Sequence, residues 1–227
     1  MSKKNKFHPL GLDRYDALTQ ATHMDLSCTI PGPAGNLEAV VNDSNSGSWV
    51  ILCHPHPLYG GSMFDAVLDA VEQAVSPLHL STLRFNFRGV GSSEGEHDHG
   101  NGEVNDLLSV VEWLHQAKSP SEVSVAGYSF GSVVASRGVA NSSKFSRLVL
   151  IAPPTSAMAL SDGITVPARV IVGDADPFVD LRQLREWHQA QKDVAIVTIP
   201  GADHFFGAQT LDLQSAASAI FREALHP

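Results

Sequence analysis

The stretch Gly127-Tyr128-Ser129-Phe130-Gly131 limits this chain more than any other. It joins an apolar run, Val123 to Ala126, to small residues at helical spacing, Ser132 to Ala140. A serine in such a place stands on a sharp strand-to-helix turn, with its hydroxyl above the sheet and the following amides at a helix N-terminus. A side chain two positions either side of the serine would crowd so tight a turn, and glycine has none. Backbone strain at such a serine, on the order of 1 to 3 kcal/mol, is sustained where function demands it.

The pattern alone is weak, because Gly91-Ser92-Ser93-Glu94-Gly95 matches it too. At average glycine and serine usage it arises by chance in on the order of a tenth of chains this long, so context has to decide. Ser93 is followed by Glu94, Glu96, Asp98, Gly100 and Gly102, which is loop composition with no immediate helix. Anionic neighbours there would also oppose an alkoxide. Ser129 has the strand before it and the helix after, so it is the candidate nucleophile and Ser93 reads as a loop residue.

The 227 residues suffice for one α/β domain with a sizeable core. A net charge of -9, with no basic block beyond Lys3, Lys4 and Lys6, disfavours a nucleic-acid partner. The two cysteines, Cys28 and Cys53, have neither zinc spacing nor a CxxC motif and read as a reduced cytoplasmic pair. Residues 1–23 are polar and lack the apolar core of a signal peptide, and no later run approaches the roughly 20 residues of a membrane span. That segment reads as a loose arm, free to lie on the surface or against a second copy in a homodimer, and residues 24–227 as the folded domain.

From Asp25 the pattern becomes regular. Leu26 to Ile30 and Leu37 to Val41 read as a hairpin joined across Pro31-Gly32-Pro33-Ala34-Gly35, forming an antiparallel edge. Further strands are expected at Ser48–Cys53, Leu80–Phe87, Glu122–Ala126, Leu148–Ile151, Ala168–Val172 and Val194–Ile199. Between them the apolar spacing predicts helices over Ser62–Val75 (Phe64, Val67, Leu68, Val71 and Val75 on one face), around Val104–Leu114, after the serine, around Leu181–Gln191, and over Ala208–Leu225. Alternating strands and helices imply a mostly parallel sheet covered on both faces, with its strand C-terminal ends along one edge. No internal repeat or low-complexity segment interrupts this order.

A serine hydroxyl is a poor nucleophile at neutral pH and needs a base within hydrogen-bond reach, with a carboxylate to orient that base. Candidates follow two late strands: Gly173-Asp174-Ala175-Asp176-Pro177 and Gly201-Ala202-Asp203-His204-Phe205. Of 11 histidines, His204 alone follows a late strand in this way. From about Asp25 onward the chain resembles the α/β-hydrolases, and within them is similar to small dienelactone-hydrolase-like bacterial hydrolases with a His-Pro-His-Pro loop. The stretches that carry the resemblance are Cys53 to Gly61, Phe85 to Ser92, Gly127 to Gly131, Gly173 to Asp176, and Gly201 to Phe206, in the family's order. The resemblance implies Ser129 as nucleophile, His204 as base and Asp176 as its orienter, with Asp174 two residues away as the alternative acid. Dienelactone hydrolases proper use a cysteine where this chain has Ser129, so their substrate is not carried over.

The oxyanion hole is expected to use the amide of Phe130, the residue after the nucleophile, and a donor from the first loop. Pro55 and Pro57 have no N–H. His56 is the nearest donor to the strand end, with Leu58 and Tyr59 as alternatives. The pairs His54/His56 and His97/His99 lack a further ligand at metal spacing, so no metal is expected. His54 then reads as loop scaffold, His97 and His99 as solvated, Arg88 as an ion-pair partner and Cys53 as a packed small apolar group. Gly89-Val90-Gly91 lacks the rest of a dinucleotide fingerprint, and no organic cofactor is implied. Residues 152–167 are too few for a substantial lid. The expected activity is hydrolysis of a small carboxylic ester through an acyl-enzyme. The alternatives are a thioesterase or an amidase or peptidase with the same groups, or an idle binding protein on the same fold.

Overall fold

The computed structural model describes residues 25–225, with α-helix, β-strand and loop assigned throughout that range. The expected arm at residues 1–23 lies outside the described residues. Among the described residues eight strands form one sheet: β1 (Leu26–Gly32), β2 (Gly35–Asn42), β3 (Ser48–Cys53), β4 (Ser81–Phe85), β5 (Glu122–Tyr128), β6 (Arg147–Ile151), β7 (Ala168–Gly173) and β8 (Val194–Ile199). Their spatial order is β1-β2-β4-β3-β5-β6-β7-β8. β1 pairs antiparallel with β2, and β2 with β4; every other pairing is parallel.

Five α-helices among the described residues cover the two faces: α1 (Ala66–Val75), α2 (Asn101–Lys118), α3 (Phe130–Ala140), α4 (Leu181–Ala190) and α5 (Thr210–Leu225). One core packs Leu107, Val111, Val133 and Val134 from α2 and α3 against Ile51, Val125 and Leu148; the other packs Leu68, Val71, Leu213 and Phe221 from α1 and α5 against Leu52, Ala126 and Ile171. This is why β3 and β5 read as continuous apolar runs: alternate residues enter opposite cores. β4 carries Arg84, and the residue just past its end is Asn86; both are buried polar groups. Arg84 is buried against Asp69 and Glu72, and Asn86 against Glu38 and the Met63 amide.

The expected helix from Ser62 begins later, at Ala66. Asp65 accepts the Val67 amide at 2.9 Å and starts the helix there, so Phe64 precedes it and is exposed. At the other end Ser76–Leu78 tightens into a 3-10 turn. Residues 152–167 contain no helix or strand, so no cap covers the C-terminal edge of the sheet. None of the described helices is long and apolar enough to cross a membrane.

Candidate active site

Parallel strands β3, β5, β7 and β8 end along one edge, and the loop after each carries one part of the site. β5 passes directly into α3 at Ser129, whose backbone sits at φ 53° and ψ −120°. A non-glycine residue rarely occupies that region, which marks the turn as strained. Its amide donates to the Ile151 carbonyl at 2.9 Å, which pins the turn to the end of β6. A Cβ on Gly127 would lie 2.2 Å from the Gly131 carbonyl oxygen, and one on Gly131 would lie 2.2 Å from the Cys53 carbonyl oxygen. Both glycines are therefore required by backbone packed on backbone.

His204, from the loop after β8, is buried, with Nε2 2.9 Å from Ser129 Oγ and Nδ1 2.7 Å from Asp176 Oδ2. Asp176 Oδ1 accepts the Phe178 amide at 2.8 Å, which fixes the carboxylate plane. Asp174, the other acid on that turn, points elsewhere: its Oδ1 accepts the Gly201 amide at 2.6 Å. The Tyr128 hydroxyl donates to the His204 carbonyl at 3.1 Å, tying the histidine loop to the strand before Ser129. Burial, then the charges of Asp65, Asp176 and Asp203, hold that phenol above its ordinary range, so it stays a donor.

The first loop, after β3, supplies the other wall. His54 is buried; Nδ1 meets the Pro55 carbonyl at 2.7 Å and Nε2 accepts the Phe87 amide at 3.0 Å. Burial lowers its pKa to about 4, so the ring is a neutral strut between the loop and the exit of β4. The Leu58 amide donates to His56 Nδ1 at 3.2 Å, and the Tyr59 and Gly61 amides donate to the His56 carbonyl at 3.1 Å. Leu58 and Tyr59 are thus engaged within the loop, leaving the His56 amide as the first-loop candidate. Phe130 opens α3, where an amide has no intrahelical acceptor.

Ser129, His204, Phe130 and His56 line a cleft of about 580 Å³, walled by Pro154, Ala157, Met158, Phe178 and Phe205 and carrying the carboxylate of Asp65. Burial first, and then Asp69, raise the Asp65 carboxyl above its ordinary range, against the Val67 amide. Shape and lining together describe an open apolar groove with the hydrogen-bonded series Ser129-His204-Asp176 at its floor. The family model for the alpha/beta hydrolase fold matches residues 48–163, just over half of the chain. The chain belongs to the α/β-hydrolase fold family.

Among solved α/β-hydrolases, the Xanthomonas campestris protein XC6422, described as an α/β serine hydrolase without lid, is 34% identical with a TM-score of 0.83, covering 89% of this chain and 96% of that one. An α/β serine hydrolase homologue from Coxiella burnetii is 33% identical with a TM-score of 0.80, covering 86% and 96%. An uncharacterised protein of Rickettsia prowazekii is 30% identical over 200 residues, 82% of this chain and 84% of its own.

The other sequence-level candidates divide. Arg88 forks onto buried Asp106, with Nη2 2.7 Å from Oδ1 and Nε 3.0 Å from Oδ2. Cys53 is fully buried, which pushes its thiol far up and out of reactive range. Cys28 and Cys53 are both free thiols. His99 is exposed as expected, but His97 is a correction: its side chain is only 8% exposed, closed in by His56, Phe130 and Glu103. Loop composition pointed to solvent there, and α2 packing beneath the loop takes the ring inside. Sequence reasoning also missed Tyr128 and the walls at 154–158 and 178; only Tyr128, inside the Gly-x-Ser-x-Gly motif, offered a signal.

Proposed function

We propose that this α/β-hydrolase is a serine hydrolase that cleaves small carboxylic esters, with Ser129 as nucleophile, His204 as general base and Asp176 as its orienter. The observation that carries this reading is the unbroken series from Asp176 Oδ2 through His204 to Ser129 Oγ, at 2.7 and 2.9 Å, opening on an apolar cleft. Ser129 Oγ attacks the carbonyl carbon as its proton passes to His204 Nε2. The oxyanion forms against the amides of Phe130 and His56, each worth about 2.7 to 4 kcal/mol of transition-state stabilisation. Collapse expels the alcohol, which takes the proton from Nε2. Water, deprotonated by the same nitrogen, then releases the acid and restores the serine.

The apolar, uncapped groove favours a small-molecule ester over a polymer that needs a long charged track. Thioesters and amides fit the same machinery and form the second reading. The free thiols at Cys28 and Cys53 fit a reducing, cytoplasmic setting. A fluorophosphonate probe is expected to label the folded protein and the Ser93→Ala variant but not Ser129→Ala. Absence of labelling on folded protein, or turnover surviving in Ser129→Ala, would overturn the assignment. Parallel rates on matched ester, thioester and amide substrates decide between the two readings.

A further inference from the structure

The His97-His99 loop has no part in the mechanism above, yet it closes over the back of the oxyanion loop. The His56 ring lies 4.9 Å from His97, 4.8 Å from Phe130 and 4.8 Å from Tyr59, ring centre to ring centre. His97 in turn meets His99 at 5.0 Å. Its Nδ1 is 2.7 Å from Glu103 Oε1, off the hydrogen-bonding direction, so neither ring nitrogen has a hydrogen-bond partner among the described residues. Glu103 is fully buried on α2 and accepts the Asp98 amide at 2.9 Å and the Gly100 amide at 2.8 Å. Burial acts to raise its carboxyl, but these amides and His97 outweigh it and hold it below the ordinary range.

The His56 ring has one specific task. Its Nδ1 accepts the Leu58 amide and shapes the turn whose first amide is the proposed oxyanion donor. An imidazole can accept only while that nitrogen is unprotonated; an imidazolium has two donors and no acceptor. Protonating His56 would therefore set N–H against N–H and open the turn beside the reacting carbonyl.

We propose that His97 and Glu103 are positioning residues for the oxyanion loop: by the charge they present to His56 they set the pH below which its ring lets go of the Leu58 amide. The charged and titratable groups facing His56 are His97 and His99 on the loop, Glu103 on α2 and Tyr59 on its own turn, with Asp65 and His204 elsewhere in the same cleft. Burial, His97 and His99 all push the His56 ring below its ordinary range, and Glu103 pulls the other way. The inference rests on the serine-hydrolase reading, and adds to it an acid limit set at a ring other than His204.

The test is the pH profile of kcat on a neutral p-nitrophenyl ester from pH 4.5 to 8, each variant normalised to its own plateau. His97→Asn leaves Glu103 facing His56 unopposed and is expected to move the acid limb up by about half to one unit, the Coulomb effect of one charge at the 4.9 Å ring separation under water-like screening. Glu103→Gln is expected to move it down. In a His56→Asn background, where an amide oxygen can take the Leu58 N–H without titrating, His97→Asn is expected to move nothing. A pH-independent loss in His97→Asn, or a shift that persists in the His56→Asn background, overturns the proposal. Protonated His204 also stops turnover, so titration of the His56 ring by NMR, which reads the same coupling without turnover, decides the matter where the two limbs overlap. It keeps the test alive where a variant is inactive, and separates failure here from failure of the Ser129 assignment.

Discussion

Ser129 and Ser93 occupy the same five-residue pattern, yet the chain around them differs in every physical respect. Ser129 has φ 53° and an Oγ 2.9 Å from an imidazole nitrogen, on a turn with β5 behind it and α3 ahead. Ser93 is buried in a loop, where its Oγ donates to the Asn86 carbonyl at 2.7 Å and accepts the Glu38 amide at 2.9 Å. One hydroxyl is held in a strained backbone and faces a cleft; the other closes two backbone groups and faces none. A motif of this kind thus describes permission for a tight turn, and the strand and helix on either side decide whether the turn exposes a nucleophile.

The largest expected effect tests that contrast directly. Ser129→Ala is expected to lower kcat by about 10⁴- to 10⁶-fold with little change in unfolding midpoint, whereas Ser93→Ala leaves kcat near that of the parent. Comparable losses in both would abolish the distinction. A second pair separates the two acids of the β7 turn. Asp176→Asn is expected to cost about 10⁴-fold in kcat, because an amide cannot accept on both atoms and favours the wrong imidazole tautomer, while Asp174→Asn keeps an oxygen for the Gly201 N–H and most turnover.

The third prediction concerns the strut beside Ser93's anchor. His54 is neutral in the fold, with its pKa lowered to about 4 from an ordinary 6.5. The unfolded chain binds the extra proton first, so this contribution to stability is complete above pH 6.5 and is lost as pH falls towards 4. The loss is about 3 kcal/mol, read as a falling urea midpoint, and His54→Gln is expected to flatten that part of the curve. Fourth, Ser93→Ala is expected to destabilise by about 1 to 3 kcal/mol, since the Glu38 amide and the Asn86 carbonyl each lose a buried partner. Smallest is Ser129→Gly: glycine adopts the observed dihedrals without strain, so the inactive variant is expected to gain about 1 kcal/mol over the parent. A stability loss there would mean that Ser129 is not strained.

What could be read from the chain follows the range of the forces involved. The Ser129 turn was legible because Gly127 answers to the nearby Gly131 carbonyl, although Gly131 itself meets the Cys53 carbonyl, far away along the chain. β3 was legible at both ends because each of its faces meets a core. The start of α1 was misread because Ser62 and Asp65 are both capping residues and each accepts the amide two residues on; only the fold shows that the helix follows the contact made by Asp65. Asp174 stood open beside Asp176 for a similar reason: their separation from His204 is set by how β7 and β8 pair, which no local pattern records. His97 was misread outright. Its loop is polar, and its burial comes from Glu103 on α2 and the Phe130 ring on α3.

The contact of Gly131 with the Cys53 and His54 carbonyls carries a consequence for redesign. Where main chain abuts main chain, no choice of amino acid can tune the gap between the serine turn and the neighbouring loop. Selection and engineering alike can reshape the cleft through replaceable faces such as Pro154, Ala157, Met158, Phe178 and Phe205, while the abutting main chain stays as it stands.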